Sequence, residues 1–348
     1  MKNNDPSGRA ALFLKLARIK FLLYSPILYT LGIAMLQKGG NDINLSRYLI
    51  GLVFVWNTHI MTHLFNEYYD IDADRCNANP SPWTGGSRVL VEGAVSPATC
   101  LRLGYISMLI STSMAFLFFS GGTLLIAILM ILACYSYSAP PLRLEARGLG
   151  ELTVIIVLNL LLPFLGLALQ GSTFYQRHFS LLLVPLMMIG FVRMMVMNIA
   201  DREGDRMAGK RTLVVRIGAG KASLAYLAGQ ATCYTLVAVL RMTDYISRAQ
   251  FAWIIATLPF GLWVAYRLCR GDWKTSEGMH TIPFLASTHN ALAACSVLVG
   301  LIISKSTWHY GDICFYPIYL FLSAFVYMQL RIHLSRFLRS RTMRNITQ

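Results

Sequence analysis

Apolar stretches of about 20 residues recur along the whole chain, separated by short, polar, basic loops. A helix needs about 20 residues, each rising ~1.5 Å, to cross the hydrocarbon core of a bilayer. The runs fall at 17–36, 46–69, 101–119, 121–138, 151–170, 179–200, 223–241, 250–268, 284–304 and 312–332. Only 14% of the residues are charged, whereas a soluble domain carries about a quarter. The pattern predicts an all-α, polytopic transmembrane bundle of nine to ten spans embedded in the lipid bilayer. The third and fourth runs are joined by Gly121-Gly122, which predicts a tight helical hairpin.

Charge placement sets the expected topology. The net charge is +15, and the basic residues concentrate in every second loop. The positive-inside rule then puts the N-terminus and the Asp-containing loops in the cytoplasm. Arg331, Arg336, Arg339, Arg341 and Arg344 follow the last run, so a cytoplasmic tail requires an even number of spans. Ten spans meet that condition. No basic stripe with interleaved aromatics stands apart from the spans, which excludes nucleic acid as the expected partner. The seven cysteines are scattered and never in C-x-x-C spacing, which argues against a disulfide framework or a zinc site. The polar start and the long first run predict no cleavable signal peptide.

Two Asp-rich clusters carry the chemistry. Asn66, Asp70 and Asp74 are spaced by four and share one helical face, while Asp72 points elsewhere. At the end of the sixth run Asp201 and Asp205 are again four apart, and Asn198 lies one turn earlier on the same side. Carboxylates stacked on one face repel one another, and Mg²⁺ bridging to phosphate oxygens offsets that repulsion with hard oxygen ligands. The two clusters stand at equivalent topological positions, so two metal ions would clamp one diphosphate. The weak internal echo is what a duplicated helical half leaves behind. Lys20, Arg88, Arg143 and Lys210 are the candidate cations for a leaving diphosphate. Arg88 ends Thr84-Gly85-Gly86-Ser87-Arg88, whose glycines allow close backbone approach to an anion. His59 and His63 share a helical face with Glu67, but three groups on one helix leave a metal short of ligands, so packing or substrate contact is the better expectation.

These residues together resemble the UbiA superfamily of membrane prenyltransferases, over roughly residues 14–220. Within it they look most like the menaquinone-type (1,4-dihydroxy-2-naphthoate) branch. Leu16-Ala17-Arg18-Ile19-Lys20 is similar to the family's opening A-R-P-K, with Ile19 in place of proline. The two Asp-rich motifs, the Gly85-Gly86-Ser87-Arg88 loop, Tyr135 to Arg143 and Ala208-Gly209-Lys210-Arg211 follow in the family's order. The resemblance implies one domain over residues 1–348, folded as helices around a central cavity. Nine helices are usual there, which makes 312–332 an addition. It implies Mg²⁺ as cofactor and an isoprenyl diphosphate as donor, with an aromatic or quinone-precursor acceptor. Tyr68 and Tyr137 would support an allylic cation through their ring faces. Two other functions use the same features. A membrane terpene cyclase would ionise the same diphosphate without an acceptor, and an isoprenoid transporter or scaffold would bind it without turnover.

Overall fold

The computed structural model describes residues 6–22, 24–38, 41–78, 80–81, 83–171 and 177–304. Among the described residues, nine helices are long and apolar enough to cross a membrane. They are α1 (Ile19–Lys38), α2 (Leu45–Tyr69), α3 (Pro97–Phe118), α4 (Gly121–Ser138), α5 (Gly150–Leu169), α6 (Ser180–Met207), α7 (Ala219–Met242), α8 (Arg248–Cys269) and α9 (Ser276–Ile303). The predicted run at 312–332 lies outside the described residues.

Local chemistry fixes the helix starts. Asn44 accepts from the Arg47 N–H at the head of α2, and Ser96 accepts from the Thr99 N–H at the head of α3, where Pro97 follows. Ser247 and Gln250 cap α8 reciprocally. Gly121 opens the α3–α4 hairpin at φ 51°, a conformation glycine adopts without a Cβ penalty. In α5, a π-helical turn at Ile156–Leu161 precedes Pro163, which lacks the N–H that would bond to the Asn159 carbonyl.

One predicted boundary near the site moves, and one cluster is broken. The sixth run was expected to end near residue 200, but α6 continues to Met207, so Asp201 and Asp205 lie in its last two turns. The first cluster instead straddles a break. α2 ends at Tyr69, Asp70 caps it, and a short helix resumes at Ile71–Cys76. The Asp70 N–H still bonds to the Asn66 carbonyl and the Asp74 N–H to the Asp70 carbonyl, so the face is kept across the break.

Helix α1 packs on α2, α5 and α9, while α6 packs on α5, α7 and α9. Helix α9 therefore closes the second half of the chain onto α1. About 71% of the α1 window and 61% of the α6 window are buried, against 22% for α3, so α3 lies on the lipid side. The close approach of α1 and α5 requires Gly32, because a Cβ there would fall 2.0 Å from the Pro163 carbonyl oxygen.

Candidate active site

The cavity is lined by residues from Arg18 to Thr212, on α1, α2, α4, α5 and α6 and the loops that follow α2, α4 and α6. It occupies about 230 Å³. Its mouth is ionic. Asp70, Asp74, Glu145, Glu151, Asp201 and Asp205 line it together with Arg18 and Lys210, whereas Arg193 lines the cavity deeper along α6. Deeper in, α4 and α5 present Met130, Ala133, Cys134, Val154 and Leu158.

Both Asp-rich motifs meet here, and they are built alike. The Asn66 amide donates to Asp70 Oδ2 at 2.6 Å and to Glu145 Oε2 at 3.0 Å. The Asn198 amide donates to Glu151 Oε1 at 2.8 Å. Each motif's asparagine is thus turned by a buried glutamate near the start of α5. Glu145 and Glu151 are 6% and 1% exposed, and neither stood out in the sequence. Both sit alone, outside any Asp-rich run. Asn77 Nδ2 donates to Asp201 Oδ1 at 2.7 Å, which ties the first motif's segment to the second.

Lys210 stands between the motifs. Its Nζ lies 2.6 Å from Asp70 Oδ1, 3.4 Å from Glu145 Oε1 and 3.6 Å from Asp205 Oδ1. Burial alone would lower the ammonium, but Asp70, Glu145 and Asp205 hold it well above the usual lysine range. Burial alone would raise Asp70, yet Lys210, its hydrogen bonds and Arg18 keep it below the usual carboxylate range. Burial and the nearby Asp70 charge push Glu145 well up. Burial, only partly opposed by Arg18, pushes Asp74 up to about 7.

The Gly-Gly loop lies against the first motif. Glu67 is 2% exposed and accepts from the Ser87 N–H at 2.8 Å and the Ser87 hydroxyl at 2.6 Å, while also pairing with Arg18. The Arg88 guanidinium donates to the Asp74 carbonyl. Gly86 has φ 72°, and a Cβ on it would fall 2.0 Å from Asp74 Oδ2. Glycine is therefore required both for the conformation and for the space that the Asp74 carboxylate takes.

Several expected site residues stand elsewhere. Arg88 acts on the backbone of Asp74 and does not line the cavity. Lys20 lies over the rings of Phe21 and Trp83, at 5.3 Å and 5.0 Å from their centroids, rather than in the cavity. Arg143, at φ 43° in the turn after α4, also lies off the lining. Tyr68 packs edge-on against Tyr69, outside the cavity, because it is two residues from Asn66 and so faces away from it. Tyr137 does line the cavity, as do Asn66, Asp70, Asp74, Asn198, Asp201, Asp205 and Lys210. Arg18 takes the place at the cavity that was expected of Lys20. Asp72 is solvated as expected and pairs with Arg75 at 3.2 Å. His59 bonds to Ser25 at 3.0 Å and stacks on His63 at 4.7 Å, both lining the cavity.

The donor set fits divalent cations. Carboxylates outnumber the cations around the cavity two to one. All are hard oxygen ligands, which suit Mg²⁺. Among the described residues no three His, Cys, Asp or Glu side chains converge tightly enough to hold an ion alone. Magnesium commonly binds through one or two carboxylates and completes its shell with substrate phosphates.

A family model described as the UbiA prenyltransferase family matches residues 27–277. The 2-carboxy-1,4-naphthoquinone phytyltransferase of Arabidopsis thaliana is 27% identical over 73% of this chain and 66% of its own length. The digeranylgeranylglyceryl phosphate synthase of Hyperthermus butylicus is 28% identical over 66% of this chain and 74% of its own length. The 1,4-dihydroxy-2-naphthoate octaprenyltransferase of Haemophilus influenzae is 28% identical over 54% of this chain and 64% of its own length. The chain thus spans about two thirds to three quarters of these curated relatives. A UbiA homolog from Archaeoglobus fulgidus, solved bound to DMAPP and Mg²⁺, superposes with a TM-score of 0.59 at 17% identity, over 82% of this chain and 98% of that chain. At that identity the likeness speaks to the fold.

Proposed function

Because the chain belongs to the UbiA prenyltransferase family, we propose that it transfers a prenyl group from an isoprenyl diphosphate to an aromatic acceptor and releases pyrophosphate. The carrying observation is the cavity itself. Two Asp-Asn motifs and Lys210 face one another at its mouth, and below it α4 and α5 present an apolar wall. The names of relatives that act on naphthoquinone, naphthoate and acylphloroglucinol acceptors support the choice of acceptor class.

In this reading Asp70, Asp74, Asp201 and Asp205, with the oxygens of Asn66 and Asn198, would hold Mg²⁺ and the diphosphate. Bound there, the metal would neutralise phosphate charge and favour departure of the leaving group. Arg18 and Lys210 meet the charge that develops on the departing pyrophosphate. Lys210 then exchanges carboxylate partners for phosphate oxygens. The allylic C–O bond breaks with its electron pair going to pyrophosphate, and the Tyr137 ring faces the resulting cation. Side chains of α4 and α5 hold the hydrocarbon and keep water from the carbocation. An electron-rich ring carbon or oxygen of the acceptor takes C1 and loses a proton. Arg88 supports the site from outside the cavity by fixing the backbone at Asp74.

The placement of basic loops supports a cytoplasmic N-terminus and cytoplasmic Asp-rich segments. The chain acts as a single unit, since the cavity draws on five of its helices. Product analysis tests the reaction type. Purified protein in nanodiscs receives Mg²⁺, geranylgeranyl diphosphate and a dihydroxynaphthoate. A prenylated aromatic adduct is the expected product. A cyclic hydrocarbon formed from the diphosphate alone would assign the chain to terpene cyclisation instead.

A further inference from the structure

Arg193 sits halfway along α6, with about 20 Å of helix on either side, so it lies at mid-membrane depth. It lines the cavity. Its Nε donates to the Ser287 hydroxyl at 3.2 Å, and a second guanidinium nitrogen donates to the Met194 sulfur at 2.9 Å. Neither partner is charged. Among the described residues no carboxylate pairs with it. A guanidinium in a water-poor interior without an anion is costly, and ionisable groups at membrane depth are functional by default.

Its position narrows the role. Arg193 is five residues before Asn198 and eight before Asp201, so it lies about 7.5 and 12 Å below them along α6. That is too deep for a diphosphate held at the mouth. Helices α2 and α6 both run toward the Asp-rich side, so His63 and His59 lie about 4.5 and 10.5 Å below Asn66 on the facing wall. His63 Nε2 is buried without a hydrogen-bond partner, and the Tyr24 hydroxyl is likewise. The cavity below the mouth is therefore two-sided. One side, from α1, α2 and α6, is polar and cationic, whereas the side from α4 and α5 is apolar. The hydrocarbon chain belongs on the apolar side. What remains is a polar slot with an unpaired cation at its floor, one aromatic ring system below the bond that breaks.

We propose that Arg193 is the specificity determinant for the acceptor: it binds the acid group of an acidic aromatic, whose ring is thereby held under C1 of the donor. The proposal rests on the transferase reading above. Ser287, on α9, orients the guanidinium by fixing Nε, and Met194 takes one Nη1 N–H, which leaves Nη2 and the second Nη1 N–H for a carboxylate. This gives α9, otherwise outside the cavity lining, a part in acceptor choice. The names of two relatives, a carboxynaphthoquinone and a dihydroxynaphthoate prenyltransferase, include such an acid. The unpartnered His63 nitrogen is placed to accept a ring hydroxyl.

The test is a binding comparison in nanodiscs, with empty discs subtracted. The probes are 1,4-dihydroxy-2-naphthoate and the same bicycle without its carboxylate, each titrated in the presence of Mg²⁺ and an unreactive prenyl diphosphate analogue. The wild type is expected to favour the acid. Arg193→Met is expected to weaken the acid by about 10–100-fold and to leave the neutral bicycle unchanged. Arg193→Lys is expected to fall between them, since it keeps the charge and loses the planar fork. Ser287→Ala provides a milder variant should Arg193→Met fold poorly, and is expected to narrow the preference in the same direction. Equal binding of both probes by the wild type, no binding of either, or equal losses for both in the variants would overturn the proposal. Titration of the diphosphate analogue in the same samples separates this outcome from failure of the transferase reading, which would show as loss of Mg²⁺-dependent diphosphate binding.

Discussion

The Lys210 ammonium lies 2.6 Å from the Asp70 carboxylate and so joins the loop after α6 to the break at the end of α2. Without a diphosphate, this lysine supplies the positive charge that the two motifs share. With one, the same group faces phosphate oxygens. Its removal affects both states.

Lys210→Met leaves Asp70, Asp205 and Glu145 buried together without their shared cation. The loss is expected to be about 3–5 kcal/mol, the usual cost of removing one partner of a buried pair. Thermal unfolding in nanodiscs reads it. Added Mg²⁺ is expected to recover part of the loss in Lys210→Met, because a second source of positive charge reaches the same carboxylates. Turnover is expected to fall by about 100-fold even with Mg²⁺ present, as for other groups that stabilise developing negative charge.

Gly86→Ala places a methyl where the Asp74 carboxylate lies and forces a non-glycine residue to positive φ. Asp74 must turn or the loop must lift. The expected result is a raised Mg²⁺ requirement and at least about a tenfold loss of kcat/KM, or ~1.4 kcal/mol. Assays across a Mg²⁺ series check it.

Glu151→Leu removes the acceptor that turns the Asn198 amide. An untethered amide samples orientations that point its N–H groups, rather than its oxygen, toward the metal. The expected loss in kcat/KM is about tenfold to a hundredfold, the range found for outer residues that orient metal ligands. Glu151→Gln retains an acceptor oxygen and is expected to lose less. Steady-state assays of the two variants side by side decide the matter.

Tyr68→Phe and Asp72→Ala are expected to stay within about threefold of wild type, or ~0.6 kcal/mol. Tyr68 stands outside the cavity, and the Asp72 side chain is 80% exposed. Both occur inside the Asp-rich run, so they separate motif membership from position. The same assay reads them.

Much of the fold was legible because the bilayer imposes a length. All nine described spans coincide with predicted runs, and the Gly121 hairpin falls where expected. Both Asp-rich motifs were legible because spacings of three and four residues place their members on one face. Boundaries near the site were less so. Hydropathy falls as the Asp residues begin, although α6 continues beneath them to Met207. The cations were read least well. Lys20 and Arg88 are close in sequence to the site, but one packs on rings and the other on a carbonyl. Glu145, Glu151 and Arg193 have no motif around them. Only the packing of α5 and α6 around the cavity makes them part of it.

The central claim is that Asp70 and Asp201, from two distant segments, act on one diphosphate. The most direct measurement is Mg²⁺-dependent pyrophosphate release in nanodiscs, with an isoprenyl diphosphate and an aromatic acceptor, for wild type, Asp70→Asn and Asp201→Asn. Release by the wild type that needs Mg²⁺ and acceptor, with each single substitution lowering it by at least about 100-fold, is the expected result. Full release by either variant would contradict the shared site, and absence of release from the folded wild type with every acceptor tried would contradict the transferase itself.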